Sequence, residues 1–521
     1  MFRRLVDGRG SSHDWGETNQ AKSGYVLCAT SRNDRWLTRC DVGQAIPIDI
    51  LPDDVLLDVF GFYSREFHFV KPGNEPWFTL IRVCRRWRTV VLQSPHRLGL
   101  QLYCTHKTPV RTLLDVWPPL PLLISNRSGG FWNDITDNIV AALEHSDRVD
   151  NIRLHYLTSS DLETILAPMQ VPFPRLVFLQ LHSAKPVVVP ESFLGGSAPN
   201  LRTLKFHGIP FPALPKLLLS STLLVCLELT YIPHSGYISP EAMVATLALL
   251  TSLKSLSLGF ISFPDFPDQE NQHPSPLTRT VLPVLTSLTF RGVSEYLEDL
   301  VTCIDAPQLN SLFVNFFYDS VFNIPRFTEF ITRTPTLKPP KKAHLCLGGD
   351  YARFEFLPQL CVDITRNGLE WQVTSVEQVC TSCLPFLSTV EDLNVYEHSF
   401  RTLRSRHTIE ITNDLFTPWP ELLRRFDTVK NLYLSKKFAP HIASALQELV
   451  GGRMTEVLPT LQNIFLEEFQ SGPVPKGIQH FVAARQVTSH PVAVSLWDLS
   501  KGYYSQFVHH PLPTHVVMNL F

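Results

Sequence analysis

The sequence predicts an α/β protein in which a short helical segment precedes an irregular, horseshoe-shaped solenoid of repeats. Two observations lead to this fold class. A six-residue apolar phrase recurs along most of the 521-residue chain, and 41 prolines, about one residue in thirteen, favour many short elements over long helices. Apolar residues make up 44% of the chain and charged residues only 18%, so most of the chain must fold around a core.

The charge and cysteine content restrict the class of protein. The formal net charge is −2, which gives no electrostatic reason to expect nucleic acid or an anionic membrane as a partner. The first residues, Met1 to Asp7, lack the apolar core of a signal peptide. The ten cysteines are scattered between Cys28 and Cys383 without a dense framework, which is typical of reduced thiols. We therefore expect a cytoplasmic and/or nuclear protein.

The first predicted helix begins near Pro52, with Asp53 and Asp54 in its first turn, where carboxylates complement the helix dipole. Its apolar positions fall on two stripes roughly 120° apart, Leu51, Val55 and Val59 on one and Leu56 and Phe60 on the other. A surface helix needs only one stripe about 100° wide. The helix is therefore expected to have a second partner, although the sequence leaves open which stripe faces outward.

A second helix is predicted over about residues 79–92, ending before Ser94-Pro95. On one helix its apolar residues would share a single stripe: Leu80, Val83, Cys84, Trp87, Val90 and Val91. A helical unit of this size is near the lower limit for independent folding. Its surplus apolar surface suggests that another chain completes it.

After residue 96 the phrase Leu-x-x-Leu-x-Leu dominates the pattern. Its matches begin at Val149, Leu176, Leu201, Leu224, Leu253, Leu285, Leu309, Val390, Val429 and Leu461. Between Val149 and Leu309 it returns at intervals of 23 to 32 residues, which is the leucine-rich-repeat range. The spacing predicts a short strand and a looped or helical return in each repeat, stacked on a continuous leucine core.

The repeats depart from the regular pattern in one respect. The Asn or Cys expected three residues after the last leucine is replaced by Ala184, Ile209, Ile232, Ile261, Val293 and Phe317. No polar ladder can form at those positions, so the solenoid is expected to be irregular. Helix-like runs lie between the phrases, at 132–143, 240–250, 376–387 and 441–449.

The helical segment resembles the F-box motif. Residues 51–60 (LPDDVLLDVF), followed by 83–87 (VCRRW) and Ser94-Pro95, match the family pattern Leu-Pro-x-Glu-x-Leu-x-x-Ile-Phe and then Val-Cys-x-x-Trp. Asp54 stands for the acidic residue, Val59 for the isoleucine, and the loop at about 61–76 is longer than in most F-boxes. The expected adaptor-binding residues are Leu51, Pro52, Val55, Leu56, Val59, Phe60, Leu80, Val83, Cys84 and Trp87.

The remainder is similar to the leucine-rich F-box proteins that are numerous in mushroom-forming fungi, and the resemblance covers roughly residues 45–495. The expected organisation is a disordered segment at 1–44, an F-box at 45–95, a repeat solenoid at 96–495 and a tail at 496–521. The resemblance implies a receptor that binds a Skp-type adaptor, joins a cullin-RING ubiquitin ligase through it, and selects an unknown protein substrate with its repeats.

An alternative function stays open, a leucine-rich scaffold or inhibitor that binds protein partners without ubiquitin transfer. Signatures of enzymes are absent from the sequence: there is no Gly-x-Ser-x-Gly elbow, no Gly-x-Gly-x-x-Gly and no phosphate loop. We therefore expect a non-catalytic protein without cofactors, and neither nucleic acid nor a membrane as a partner.

Two groups of residues have the composition of a metal site. Cys380 and Cys383 share one helical stripe with apolar neighbours, and no second Cys-x-x-Cys exists, so they are interpreted as core residues. His509, His510 and His515 lie among prolines with no carboxylate or cysteine after them. No metal site is predicted.

The substrate surface is predicted from the strand alternation. The leucines of each phrase point inward, so alternate positions must face outward along the inner curve of the solenoid. The expected substrate-binding residues are Phe178, Lys205, His207, Arg291, Phe313, Tyr396, Tyr433 and Phe465. Repeated outward aromatic residues are typical of binding surfaces, but irregular repeats can also bury such rings under neighbouring segments.

Overall fold

The structure, a computed structural model, describes most of the chain. The described residues are 48–65, 76–105, 108–116, 119–126, 136–261, 279–317, 322, 324–348, 351–356, 359–365, 368–382, 387–397, 418–448, 456–467 and 474–497. The segment predicted to be disordered, 1–44, and nearly all of the predicted tail lie outside them. The chain divides into two compact units, Met1–Leu56 and Leu57–Phe521.

The first unit contains the 3₁₀ turn Ile48–Ile50 and the beginning of helix α1, which spans Asp53–Arg65. Pro52 directly precedes α1, and both predicted aspartates lie in its first turn. Within the described part of this unit, Leu56 is buried, whereas Val55 is exposed.

The helix predicted over 79–92 is instead two helices, α2 (Pro76–Val83) and α3 (Arg85–Gln93). Cys84 between them is extended, with φ −152° and ψ 173°. Its Sγ accepts a hydrogen bond from the backbone N–H of Trp87 at 3.4 Å. N-cap residues have non-helical dihedral angles. Cys84 therefore ends α2 at the same position at which it caps α3.

Because of this break, the predicted single apolar stripe does not form. Leu80, Val90 and Val91 are buried, but Val83 is 56% exposed. The short helix α4 (Pro95–Leu98) follows. From Leu57 onward these helices belong to the same compact unit as the repeats.

The repeats form one 16-stranded sheet whose strands are mostly parallel. Its strands are β1 (Leu102–Cys104), β2 (Leu122–Ser125), β3 (Val149–Leu157), β4 (Phe178–Ser183), β5 (Thr203–His207), β6 (Cys226–Ile232), β7 (Ser255–Phe260), β9 (Ser287–Gly292), β11 (Ser311–Phe317), β12 (Lys342–Gly348), β13 (Tyr351–Phe356), β14 (Leu360–Thr365), β15 (Asp392–Glu397), β16 (Asn431–Leu434), β17 (Asn463–Glu467) and β18 (Ala493–Trp497). Two short strands, β8 (Thr280–Val281) and β10 (Ile304–Asp305), pair separately.

Short helices lie in the connections between strands. They are α5 (Val110–Val116), α6 (Thr136–Leu143), α7 (Ser159–Leu166), α8 (Leu214–Leu218), α9 (Pro240–Leu247), α10 (Ser294–Thr302), α11 (Pro325–Arg333), α12 (Leu369–Ser382), α13 (Trp419–Leu423), α14 (Ala439–Glu448) and α15 (Lys476–Val487). The predicted runs at 240–250 and 441–449 correspond to α9 and α14. None of the helices in the described ranges combines the length and the apolar character needed to cross a membrane.

Strand register aligns the predicted phrases. The central leucines pair across neighbouring strands in the order Leu179, Leu204, Leu227, Leu256, Leu288 and Leu312, and all are buried. The last phrase positions, from Leu181 to Val314, form a second buried row. Because one parallel strand comes from each repeat and its leucines stack on those of the next, this part of the chain has the arrangement of a leucine-rich-repeat solenoid.

The sequence did not predict the antiparallel meander of β12, β13 and β14. It lies between β11 and β15, with β14 parallel to β11 and β12 parallel to β15. Leu360 pairs with Leu312, and Val362 with Val314, so β14 continues the two buried rows. The meander occupies the long gap in which no phrase recurs.

A polar ladder is present in the last repeats, although not at the positions considered from the sequence. Asn431 Nδ2 donates to Asp392 Oδ1 at 2.7 Å, and Asn463 Nδ2 donates to Asn431 Oδ1 at 2.7 Å. These residues begin β15, β16 and β17. Each hydrogen bond joins two successive repeats and stabilises their register.

Candidate functional site

The predicted substrate-binding residues differ in exposure. Phe178, Lys205, His207, Arg291, Phe313 and Tyr433 are half-buried, at positions that alternate with the buried rows. Tyr396 and Phe465 are buried, at 7% and 6% exposure, so the prediction that they form an accessible surface is wrong.

The two exceptions are covered by neighbouring side chains. Phe465 stacks on Tyr433, with ring centroids 4.5 Å apart and planes within 12°, and Trp497 contacts Tyr433 edge-on at 5.3 Å. The ring of Tyr396 lies edge-on to His344 at 6.1 Å. Aromatic pairs of this geometry stabilise a fold beyond their buried area. These rings therefore hold the last strands together.

Four rings form a continuous row across β3, β4, β5 and β6, which we call the ring ladder: Tyr156, His182, His207 and Tyr231. The successive ring centroids are 4.6, 3.9 and 4.3 Å apart. The histidines are half-buried, whereas Tyr156 is 67% and Tyr231 43% exposed. The ladder therefore presents aromatic surface to solvent at both ends.

The same unusual backbone conformation positions both tyrosines. Tyr156 and Tyr231 each have φ of +54°, in the left-handed region that bulky residues rarely adopt. The register of β3 with β4 shifts beside Tyr156, and that of β6 with β7 beside Tyr231. Such irregularities re-aim a side chain, and strain of this kind clusters at functional sites.

The sequence reasoning omitted both tyrosines because it considered strict alternation only. A signal was nevertheless present. In 154–157 (LHYL) and 229–232 (LTYI), a tyrosine follows the last leucine of the phrase by two residues and precedes another apolar residue. Two repeats with the same departure indicate a shared local conformation.

A shallow depression of about 140 Å³ lies beside the ladder. It is lined by Gln180, Leu181, His182, Lys205, Phe206, His207 and Glu228. Lys205 Nζ and Glu228 Oε2 form an ion pair at 2.6 Å, and each side chain is about one third exposed. A pair this accessible to solvent contributes little to stability.

The histidines of the ladder are neutral near pH 7. Burial lowers the pKa of His182, and it lowers the pKa of His207, where the nearby His182 acts in the same direction and Glu228 opposes it. His207 Nδ1 lies 2.9 Å from Thr230 Oγ1. The ladder is therefore an uncharged aromatic row at this pH.

Two arginines flank this surface, each over an aromatic ring. The guanidinium carbon of Arg153 lies 4.4 Å from the ring centroid of Phe178, and that of Arg291 lies 4.9 Å from the ring centroid of Tyr231. Arg291 belongs to β9, and it crosses β7 at Gly259, where no side chain obstructs it. Cation–π contacts of this kind fix both guanidinium groups in place.

The expected adaptor-binding residues fall into three groups. Pro52, Val55, Val59 and Val83 are exposed, Leu56, Phe60 and Leu80 are buried, and Leu51, Cys84 and Trp87 are intermediate. The ring of Phe60 packs on that of Trp87 at 4.7 Å between centroids. Phe62, which the sequence reasoning omitted, is 69% exposed. On α1, Val55 and Val59 of one predicted stripe are therefore exposed, whereas Leu56 and Phe60 of the other are buried.

The outward face of the meander carries buried polar groups. Arg353 Nε and Nη2 donate to the two carboxylate oxygens of Asp363 at 2.7 and 2.9 Å. The hydrogen bonds to Asp363 raise the pKa of Arg353 despite the opposing effect of burial. Burial raises the pKa of Cys346 to about 12, so its thiol stays protonated. This cluster is a structural ion pair with an inert thiol beside it.

The stability of the protein is expected to fall on acidification because of His344. Burial, with help from Lys342 and against Asp392, lowers the pKa of His344 to about 4 from 6.5. Glu355 and Tyr396 also face its ring. The unfolded state binds the proton more readily, so stability is complete above pH 6.5 and declines as the pH falls towards 4.

Between pH 7 and pH 5, this effect costs about 2 kcal/mol. Urea unfolding of wild type and His344→Phe at both pH values measures it, and the variant should lose that part of the pH dependence. His490→Gln, at an exposed position, serves as the control. Equal pH dependence in wild type and His344→Phe would contradict the assignment.

Cys380 is buried in α12, whereas Cys383 and the histidines at 509, 510 and 515 lie outside the described residues. Within the described ranges, no group of three or more His, Cys, Asp or Glu side chains is arranged to hold a metal ion.

No protein-family model matches the chain, and no curated protein is significantly similar to it. Among solved structures, the chain is similar to the leucine-rich repeat-containing protein LegL7 from Legionella pneumophila, at 12% identity and a TM-score of 0.25, over 73% of this chain and 97% of that one. A TM-score this low carries no argument, so the fold assignment depends on strand order and register.

Proposed function

We propose that this protein is the substrate-recognition subunit of a Skp-cullin-F-box ubiquitin ligase. It binds the Skp-type adaptor through the helices of the F-box-like segment and a target protein through the repeats, and it acts in the cytoplasm and/or nucleus. Catalysis belongs to the partner proteins. The observation that carries the proposal is the exposed apolar surface of the motif helices, where Val59, Phe62 and Val83 are 43%, 69% and 56% exposed.

These three side chains contribute less to the stability of the fold than their size would allow, because solvent still reaches 43% to 69% of each. Burying a large apolar side chain contributes about 1.5–3 kcal/mol. Covering the exposed parts of Val59, Phe62 and Val83 with an adaptor therefore supplies several kcal/mol of binding free energy. Val59 and Val83 lie in the F-box pattern, and Phe62 lies on the same helix two residues beyond its first part, which supports an adaptor as the covering protein.

Affinity purification of the full-length chain from its native cells, with proteasome activity blocked, tests the proposal. Cullin and RING subunits are expected to co-purify. The alternative function, a scaffold or inhibitor, is supported by the ring ladder, because a binding surface on the repeats needs no ligase. It predicts captured partner proteins without cullin or RING subunits.

The double variant Phe62→Ser, Val83→Ser is expected to weaken adaptor binding by about 30-fold or more, because it removes roughly 2 kcal/mol or more of apolar burial. Isothermal titration with the purified Skp-type adaptor measures the change. Val487→Ser, which alters an even more exposed valine on α15, is the matched control and should bind like wild type. Unchanged affinity in the double variant, with folding intact, argues against this adaptor surface.

A further inference from the structure

The outward face of β3 to β9 is positively charged. Strand register aligns its outward positions in three rows. Within these rows the charged residues are the cations Arg153, Lys205 and Arg291 and the anion Glu228. With neutral histidines, three positive charges and one negative charge leave a net charge of +2. A partner with negative charge complements this surface.

Arg291 is the cation in these rows whose donors are least used. Its Nε is buried and has no hydrogen-bond acceptor among the described residues. The ring of Tyr231 contacts one face of the guanidinium, so a ligand can approach only the edge that carries its N–H groups. A guanidinium with fixed orientation and unused donors is suited to a carboxylate or a phosphate.

Two other cations on the outward face are paired with carboxylates of the chain. Arg353 holds both oxygens of Asp363, and Lys205 holds Glu228. No described carboxylate lies within 4 Å of Arg291 in the same way. Among the described residues, Arg291 therefore differs from Lys205 and Arg353 in making no ion pair.

The dimensions of the surface indicate the form of the ligand. The ring ladder crosses four adjacent strands, and successive ring centroids 4.6, 3.9 and 4.3 Å apart place its two tyrosine rings at most about 13 Å from each other. An extended chain covers that length with four to five residues. The rings are held by packing and by backbone geometry, so little conformational entropy is lost when a chain is laid over them.

We propose that the ring ladder and Arg291 bind an extended, acidic segment of a partner protein, with one anionic side chain paired to the Arg291 guanidinium beside Tyr231. This inference rests on the proposed function only in taking the partner to be a target for recognition by the repeats. The shared chemistry of the anionic group is that of a carboxylate or a phosphorylated residue.

Fluorescence anisotropy with the full-length protein tests the proposal. Three labelled eight-residue probes differ only in alternate positions, which are glutamate, phosphoserine or lysine. The glutamate or the phosphoserine probe should bind, the tighter of the two identifying the anionic group, and the lysine probe should not. Arg291→Gln should lower the affinity for the acidic probe tenfold or more, whereas Lys476→Gln, at an exposed position on α15, should leave that affinity unchanged.

Glu228→Gln gives a result that a structural role for these residues cannot produce. It removes the one anion of the three rows and releases Lys205, so it should raise the affinity for the acidic probe several-fold. Equal binding of the acidic and lysine probes, or of wild type and Arg291→Gln, would overturn the proposal. Adaptor binding of Arg291→Gln should match wild type, so failure of this inference is distinguishable from failure of the ligase role.

Discussion

Replacing Phe60 by Ala is expected to lower the free energy of unfolding by about 3–5 kcal/mol. The ring is 1% exposed and packs on Trp87 at 4.7 Å, so its removal leaves a cavity between α1 and α3. The sequence alone allowed the opposite expectation, in which Phe60 is one of the residues that contact the adaptor. Its burial makes it a core residue that supports the binding helices.

The neighbouring Val59 is the matched control. It is 43% exposed on the same helix, so Val59→Ala should change stability by less than about 1 kcal/mol. Hydrogen exchange of the amides of α3 and urea unfolding measure both variants. Similar stability of Phe60→Ala and Val59→Ala would show that the Phe60 ring is not part of the core.

Asp363→Ala is expected to destabilise the repeats by about 3 kcal/mol, because it removes one partner of a largely buried ion pair. The side chain of Asp363 is 6% exposed, whereas that of Arg353 is 28% exposed and keeps part of its hydration. Without the carboxylate, two guanidinium donors of Arg353 lose their acceptors inside the meander.

Chemical denaturation of the full-length chain measures this loss. Glu355→Gln is the control, since Glu355 lies at 3.7 Å from Arg353 and makes the weaker contact, so its replacement should cost under about 1 kcal/mol. The pair Arg353→Met, Asp363→Leu should recover much of the stability, because it removes both charges together. A double variant less stable than Asp363→Ala would show that the charges themselves, and not their pairing, hold the meander.

The regular part of the fold could be predicted because a single spacing repeats. From Val149 to Leu309 each phrase predicted a strand, and register places the central leucines of these strands side by side. The meander could not be found by the same rule, because its strands use simple alternation. Ala352, Phe354 and Phe356 on β13 are buried, and the polar residues Arg353 and Glu355 alternate with them.

The features that could not be predicted depend on local conformation and on contacts between strands. Periodicity alone cannot show that the Cys84 thiol interrupts a helix, because the apolar spacing continues through the break. Alternation predicted that His207 and Arg291 face outward, but it could not predict the left-handed conformation of Tyr156 and Tyr231, which completes the ring ladder. Phe465 is buried with its ring stacked on Tyr433 of the neighbouring strand, a contact between strands that no single-strand pattern contains.

The meander also affects the order in which the protein can fold as it is synthesised. One edge of β11 pairs with β9, which is synthesised before it, and the other edge pairs with β14, whereas β12 and β13 emerge first. About forty residues separate Phe317 from Leu360, so at 5–20 residues per second the edge of β11 waits roughly 2–8 seconds for its partner. An unpaired strand edge is a template for pairing with other chains. During this interval the nascent protein therefore carries a strand edge that can pair with another chain.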